Sequence, residues 1–374
     1  MRKAVTIFII AAALTAVVVF VASRDDIGGG ELDSVFSRLF RRGETAEAGV
    51  IAFDEGRRTV FALIGRQLAA LSPDRFALYD TAGRERVSRA VSFELPALTV
   101  AGDKVIVHDR AGRTALAADS GGIQMEFDFP VLTAAGNARG QFVLITSESG
   151  YRGAAHVYDS RNRLTYKWYS AERYIMAASL SPSGSRMAVA AVGQRGEAVS
   201  ARITFLEPGN LEPLGTADIE DELPLAAYSP DNNHVSILTE AGVYFYTDEG
   251  EPIGHYAFGA ARLLAAHATD QALFLHIGRN EGGQHSRLVC LSYTGAELGQ
   301  IQFAEGPDSL AAAGRWCGAL EAGVLTRYGI EGTELKAEPL GLSDARGLLL
   351  SPNGDILLLF SDHARWYNDI EVMQ

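Results

Sequence analysis

The chain has 374 residues, 47% apolar and 21% charged, the make-up of a globular protein with room for one large domain or two ordinary ones. Its formal net charge of −13 argues against a nucleic-acid binder, because phosphate contacts need a basic surface. The same charge argues against a body lying on an anionic membrane.

The N-terminus carries the first strong signal. After Arg2 and Lys3, residues 4–22 read AVTIFIIAAALTAVVVFVA without a charge. As a helix this stretch spans roughly 28 Å, close to the roughly 30 Å hydrocarbon core of a bilayer. It is longer than the apolar core of a cleavable signal peptide, although Val21-Ala22-Ser23 would serve as a weak cleavage site. The reading favoured here is an uncleaved single-pass anchor over residues 1–23. Basic residues precede the span and Asp25 and Asp26 follow it, so the N-terminus is expected in the cytoplasm and the rest outside. Residues 24–48 read as a stalk: Gly28 to Gly30 is linker material, and Val35, Phe36, Leu39 and Phe40 then fall at helical spacing among arginines. That short amphipathic segment suits either the membrane surface or the face of a domain.

From residue 49 to 374 short apolar or β-branched runs alternate with Gly, Pro, Asn and Asp turns, the pattern of an all-β domain. The turns recur. One series includes SPSG (181–184), SPDN (229–232) and SPNG (351–354), and Ser-Pro-(Ser/Asn)-Gly suits every position of a type I turn. A second series follows strand ends, as in YDTAG (79–83), YDSRN (158–162) and YTDEG (246–250). Four strands fit into each period, which predicts a β-propeller. In blade two, ALTVAG, KVIVHD, TALAAD and IQMEFDF are strands a to d. In blade three, QFVLITS, AAHVYD and LTYKWYS are strands b to d. The count gives seven complete blades and an eighth, RGLLLS–DILLLF–ARWYND, that lacks its fourth strand. GVIAFD (49–54) is expected to supply that strand and remove the open edge. Seven blades is the alternative, if one inferred blade is an insertion.

The stretch ESGYRGAAHVYD, followed by KWYSAERYIMAASLSP, resembles the hallmark of an uncharacterised bacterial family of single-pass, membrane-anchored propellers. The resemblance covers nearly the whole chain. It implies an anchor, a stalk and a propeller similar to the quinoprotein and WD-repeat types. It implies no activity, because the family is a domain of unknown function.

Enzymes built on propellers leave marks that can be sought. Neither the Trp-bearing docking repeat nor the vicinal cysteine pair of quinoproteins occurs, and no Ser-Pro turn runs on into the sialidase Ser-x-Asp-x-Gly-x-x-Trp pattern. There is no G-x-S-x-G elbow, H-E-x-x-H helix or calcium loop. His267, His276 and His285 sit nine apart but map to two strands and a loop, so no metal site is assigned. Cys290 and Cys317 lie in apolar runs and read as buried thiols, with a disulfide as the alternative. No cofactor and no catalytic residue are predicted.

The b–c and d–a loops of a propeller share one face. Three b–c loops read as long: SESGYRG in blade three, QRGEAVS in blade four and RNEGGQHS in blade six. They place Arg152, Arg195 and Arg279 on that face of an acidic protein, where a guanidinium can grip phosphate or carboxylate. Tyr151 and His285 would flank such a site, with Glu148 orienting an arginine; ordinary solvated loops are the competing reading. The expected function is a non-enzymatic binding or scaffold module in the cell envelope, for an envelope protein or an anionic polymer. The alternative is an enzyme acting on an envelope glycan in the channel. Apolar strands a, such as ALTVAG, VLTAAG and GLLLS, offer no paired carboxylates for such work and favour binding.

Overall fold

The computed structural model describes residues 50–53, 58–110, 112–195, 198–279, 285–332 and 334–367. The apolar stretch 4–22 and the stalk 24–48 lie outside them. Among the described residues no helix is long and apolar enough to cross a membrane.

The described chain forms eight four-stranded antiparallel sheets, each in the order a-b-c-d. They follow one another as blades one (60–90), two (96–128), three (131–170), four (174–220), five (224–257), six (262–302), seven (309–342) and eight (347–366). Val50–Ala52 is the outermost strand of blade eight and pairs with His363–Trp366. The domain is an eight-bladed β-propeller.

Burial explains the sequence pattern. A blade is covered on both faces by its neighbours, so its middle strands read as continuous apolar runs rather than alternating ones. Lys104–Asp109, Phe142–Thr146, Gly153–Tyr158 and Leu273–Gly278 are buried at every position. The outer strand d faces solvent at its edge and alternates, as in Leu164–Ser170. Its Trp168 packs inward on the core between blades three and four. Lys167 points the other way.

The core itself is eight apolar clusters, each drawn from two successive blades. One joins blades one and two through Phe76, Leu78, Val105 and Val107; the last joins blades eight and one through Ile51, Trp366, Leu68 and Tyr79. Cys290 and Cys317 belong to the cluster between blades six and seven. Both are free, buried thiols, and burial raises both pKa values, that of Cys290 to about 12.

Turn chemistry sets the other face. Gly184 N donates to Ser181 O and Gly354 N to Ser351 O, each at 2.9 Å, with both glycines at positive φ. Asp159 Oδ1 accepts the backbone N–H groups of Arg161 and Arg163, both at 2.9 Å, so it caps its own turn. Its carboxyl is held below the usual range: burial opposes ionisation, and these backbone donors and the Arg163 guanidinium outweigh it.

Candidate binding face

Antiparallel pairing brings every b–c loop and d–a loop to one side of the ring and every a–b and c–d turn to the other. Glu148, Tyr151 and Arg152 share the b–c loop of blade three. Arg195 is the last residue of strand b in blade four, Met187–Arg195. Arg279 is exposed just after Leu273–Gly278, and His285 is exposed with φ +55° just before Ser286. All six therefore belong to the loop side. Among the described residues no hydrogen bond or ion pair joins the blade-three group to Arg279 or His285.

The blade-three group is a built cluster. Strand d carries Tyr169 opposite Ala154, beside the loop, and the Tyr151 and Tyr169 rings lie 4.6 Å apart. Arg152 reaches across to blade four. Its Nη1 donates to the Tyr174 hydroxyl at 2.7 Å, and its guanidinium carbon lies 5.2 Å from that ring's centroid. Tyr151, Tyr169 and Tyr174 all remain exposed.

Glu148 differs from expectation. Among the described residues it orients no arginine. Its Oε1 accepts from His156 Nε2 at 2.6 Å and from Lys167 Nζ at 3.4 Å. The reason is register: His156 sits directly opposite Lys167 in the c–d pairing, so both reach one carboxylate. Burial opposes ionisation of Glu148, but the His156 hydrogen bond and the Lys167 charge outweigh it and keep its pKa low. Burial, helped by the Lys167 charge, holds the His156 pKa below its ordinary value, so a neutral imidazole donates to an ionised carboxylate. Among the described residues His156 Nδ1 has no partner, and the ring meets Phe129 edge-on at 5.5 Å. This group fixes the root of the loop.

Blade four corrects the loop map as well. QRGEAVS is not a long loop: Gln194 and Arg195 pair with Val199 and Ala198, so the b–c hairpin simply extends. Polar side chains do not end a strand when backbone pairing continues. Of the histidines, His276 is buried and shares a 2.7 Å hydrogen bond with Ser286 Oγ, while His267 lies on strand a. Among the described residues no three metal-ligating side chains converge.

Tyr169 and Tyr174 escaped the sequence reading. A signal was present: Tyr169 shares the face of Lys167 in a period-2 strand, and Tyr174 opens the next innermost strand. In chemical terms the cluster offers flat aromatic faces and an arginine with donors to spare, the means to hold a partner by stacking and by anion contacts.

Comparison with known proteins agrees with the architecture. The C-terminal WD40 domain of Sif2 superposes with a TM-score of 0.59 at 8% identity, over 85% of this chain and 97% of that one. The dihydro-heme d1 dehydrogenase NirN, in complex with DHE, gives 0.51 at 13% identity, over 78% of this chain and 67% of that one. Identities this low speak for the fold alone. A search of curated proteins by sequence finds no match. The model of a family of unknown function, DUF5711, matches residues 50–314, and the chain belongs to that family.

Proposed function

We propose that the protein is a membrane-tethered binding or scaffold module with no catalytic role, displayed outside the cytoplasm on a stalk. In this reading residues 4–22 anchor it, residues 24–48 space it from the bilayer, and the strand at residues 50–52 completes the ring. The loop side receives an envelope protein or an anionic envelope polymer. The observation that carries the reading is the exposed cluster of Tyr151, Tyr169 and Tyr174 with Arg152 between blades three and four. Aromatic side chains exposed together on a folded surface contribute little to the core, whereas Tyr and Arg dominate the energetics of interfaces.

Co-purification from detergent-solubilised membranes tests it. The full chain is compared with a Tyr151→Ala, Arg152→Ala double variant. A component retained by the first and lost by the second is the expected result. Equal retention by both, or none by either, overturns the assignment. Protease added to intact protoplasts tests the topology: the propeller should be cleaved or shed, and a fully protected or soluble propeller would defeat the anchored reading.

A further inference from the structure

In blades three, four, five and six the pairing of strand a with strand b slips at the same place. The slips fall between Val131 and Thr133, Ile175 and Ala177, Pro224 and Ala226, and Leu263 and Ala265. In blades one, two, seven and eight the same pairing is regular. A bulge sets two residues against one and re-aims the extra side chain. Here the extra residue is each time large and apolar: Leu132, Met176, Leu225 and Leu264. The first three are 41%, 44% and 50% exposed, so the bulges present side chains instead of burying them.

These positions lie near the loop end of the innermost strands. Those strands run side by side. Thr99 Oγ1 donates to Ala134 O at 3.3 Å, and the Ser179 and Ser229 hydroxyl oxygens are 2.7 Å apart. A single exposed apolar side chain is ordinary, but one per blade at matching register on three successive blades, continued on the fourth by the half-buried Leu264, makes a crescent. Beside its centre stand two fixed carboxylates. Glu222 accepts the hydroxyls of Thr239 at 2.5 Å and Tyr244 at 2.9 Å, and Glu240 accepts the Leu223 backbone N–H at 2.5 Å. All these donors are neutral. Among the described residues no cation is paired with either acid.

We infer that this crescent docks a polypeptide segment with an apolar ridge and basic side chains beside it, the ridge on Leu132, Met176 and Leu225 and the cations against Glu222 and Glu240. The chemistry selects among partners. Leu and Met offer no flat face on which a sugar ring stacks, and the two carboxylates repel a phosphate-bearing polymer. The inference rests on the loop-side reading above and narrows its partner to a protein.

The test places a photocrosslinking residue in the full chain, held in zwitterionic nanodiscs, as Leu225→p-benzoylphenylalanine. A control carries it at Leu211, which is 93% exposed on the turn side. The probes are a fluorescent peptide of leucines and lysines at helical spacing, its counterpart with every Lys replaced by Glu, and one with every Leu replaced by Ser. The leucine–lysine peptide should crosslink at position 225 about tenfold more than at 211, and about tenfold more than either counterpart. Glu222→Gln with Glu240→Gln, which keeps the acceptors and removes the charges, should lower that yield several-fold. Equal yields at 225 and 211, or an acidic peptide crosslinking as well as the basic one, overturns the crescent. Capture of an envelope component through Tyr151 and Arg152 would then still stand, which separates this failure from failure of the loop-side reading.

Discussion

The two sides of the ring are built from the same hairpins and do different things. On the turn side polar groups are spent joining blade to blade. The buried Lys104 of blade two donates to Ser160 O at 2.6 Å and to Asn162 Oδ1 at 2.9 Å in blade three. Asn137 Nδ2 of blade three donates to Ser181 O of blade four at 2.9 Å, and Arg186 of blade four meets Asp248 of blade five at 2.7 Å. On the loop side the polar groups mostly serve their own blade and its next loop, as when Asp109 accepts the Leu95 backbone N–H at 2.8 Å. Large apolar and aromatic side chains are left in solvent there. One side holds the ring together, and the other is free to vary.

The largest expected effect tests the seam. Val50–Ala52 contributes one edge strand and the fully buried Ile51 to the cluster between blades eight and one. Deleting residues 49–54 would expose the edge of His363–Trp366 and strip that cluster. The deletion is expected to lower the melting temperature by many degrees, and deletion of residues 25–43 far less. Comparable melting temperatures for the two truncations would defeat closure by this strand.

Next in size is an acid sensitivity buried within a blade. His108 is 1% exposed, and among the described residues neither ring nitrogen has a partner. Burial, reinforced by the Arg110 charge and opposed by Asp109, lowers its pKa from 6.5 to about 4. Between these values the unfolded chain takes up a proton that the folded chain refuses. Stability is therefore complete above pH 6.5 and falls as the pH drops towards 4, by about 3 kcal/mol for this group. Burial likewise lowers the pKa values of His156, His267 and His276, which act in the same direction. His108→Leu should raise stability at pH 7 by about 1 kcal/mol and flatten the denaturant-midpoint profile between pH 6.5 and 4. An unchanged profile would show that His108 is hydrated or paired.

Much of this architecture was legible because turn chemistry repeats. KVIVHD and TALAAD coincide with strands of the structure, since a residue sandwiched between blades must be apolar wherever the ring is built. The bulges were not legible. Leu132, Met176 and Leu225 are the same kind of residue as their neighbours, and only the partner strand shows that one is extra. The His156 contact was hidden for a related reason. A histidine inside AAHVYD announces burial, while its link to Glu148 depends on where strand c ends and which residue strand d sets opposite. The extended hairpin of blade four misled because polarity was read as the end of pairing.

The turn side should respond more than the loop side to single substitutions. Lys104→Met keeps the length and removes the ammonium, leaving Ser160 O and Asn162 Oδ1 without a donor between blades two and three. A cost of about 2 kcal/mol is expected, read as a shift in denaturant midpoint at constant slope. No shift would mean that water replaces the ammonium and that the inter-blade bonds are not what secures the ring.

The smallest expected effect completes the contrast. Tyr151 is 45% exposed and, among the described residues, its ring meets only that of Tyr169, itself 37% exposed, so truncating it forms no cavity. Arg152 has an exposed partner too: Tyr174 is 55% exposed, and a cation–π contact in water contributes about 0.5–1 kcal/mol at most, part of it offset by the freedom the side chain regains. The hydrogen bond from Arg152 to the Tyr174 hydroxyl is exchanged for bonds to water when it is lost. Tyr151→Ala and Arg152→Ala should therefore each change unfolding free energy by no more than about 0.5 kcal/mol. Chemical denaturation of each variant beside Lys104→Met gives the comparison directly. A loss above about 1 kcal/mol from either would make the tyrosine–arginine cluster part of the scaffold, and the reason for leaving those rings in solvent would have to be sought elsewhere.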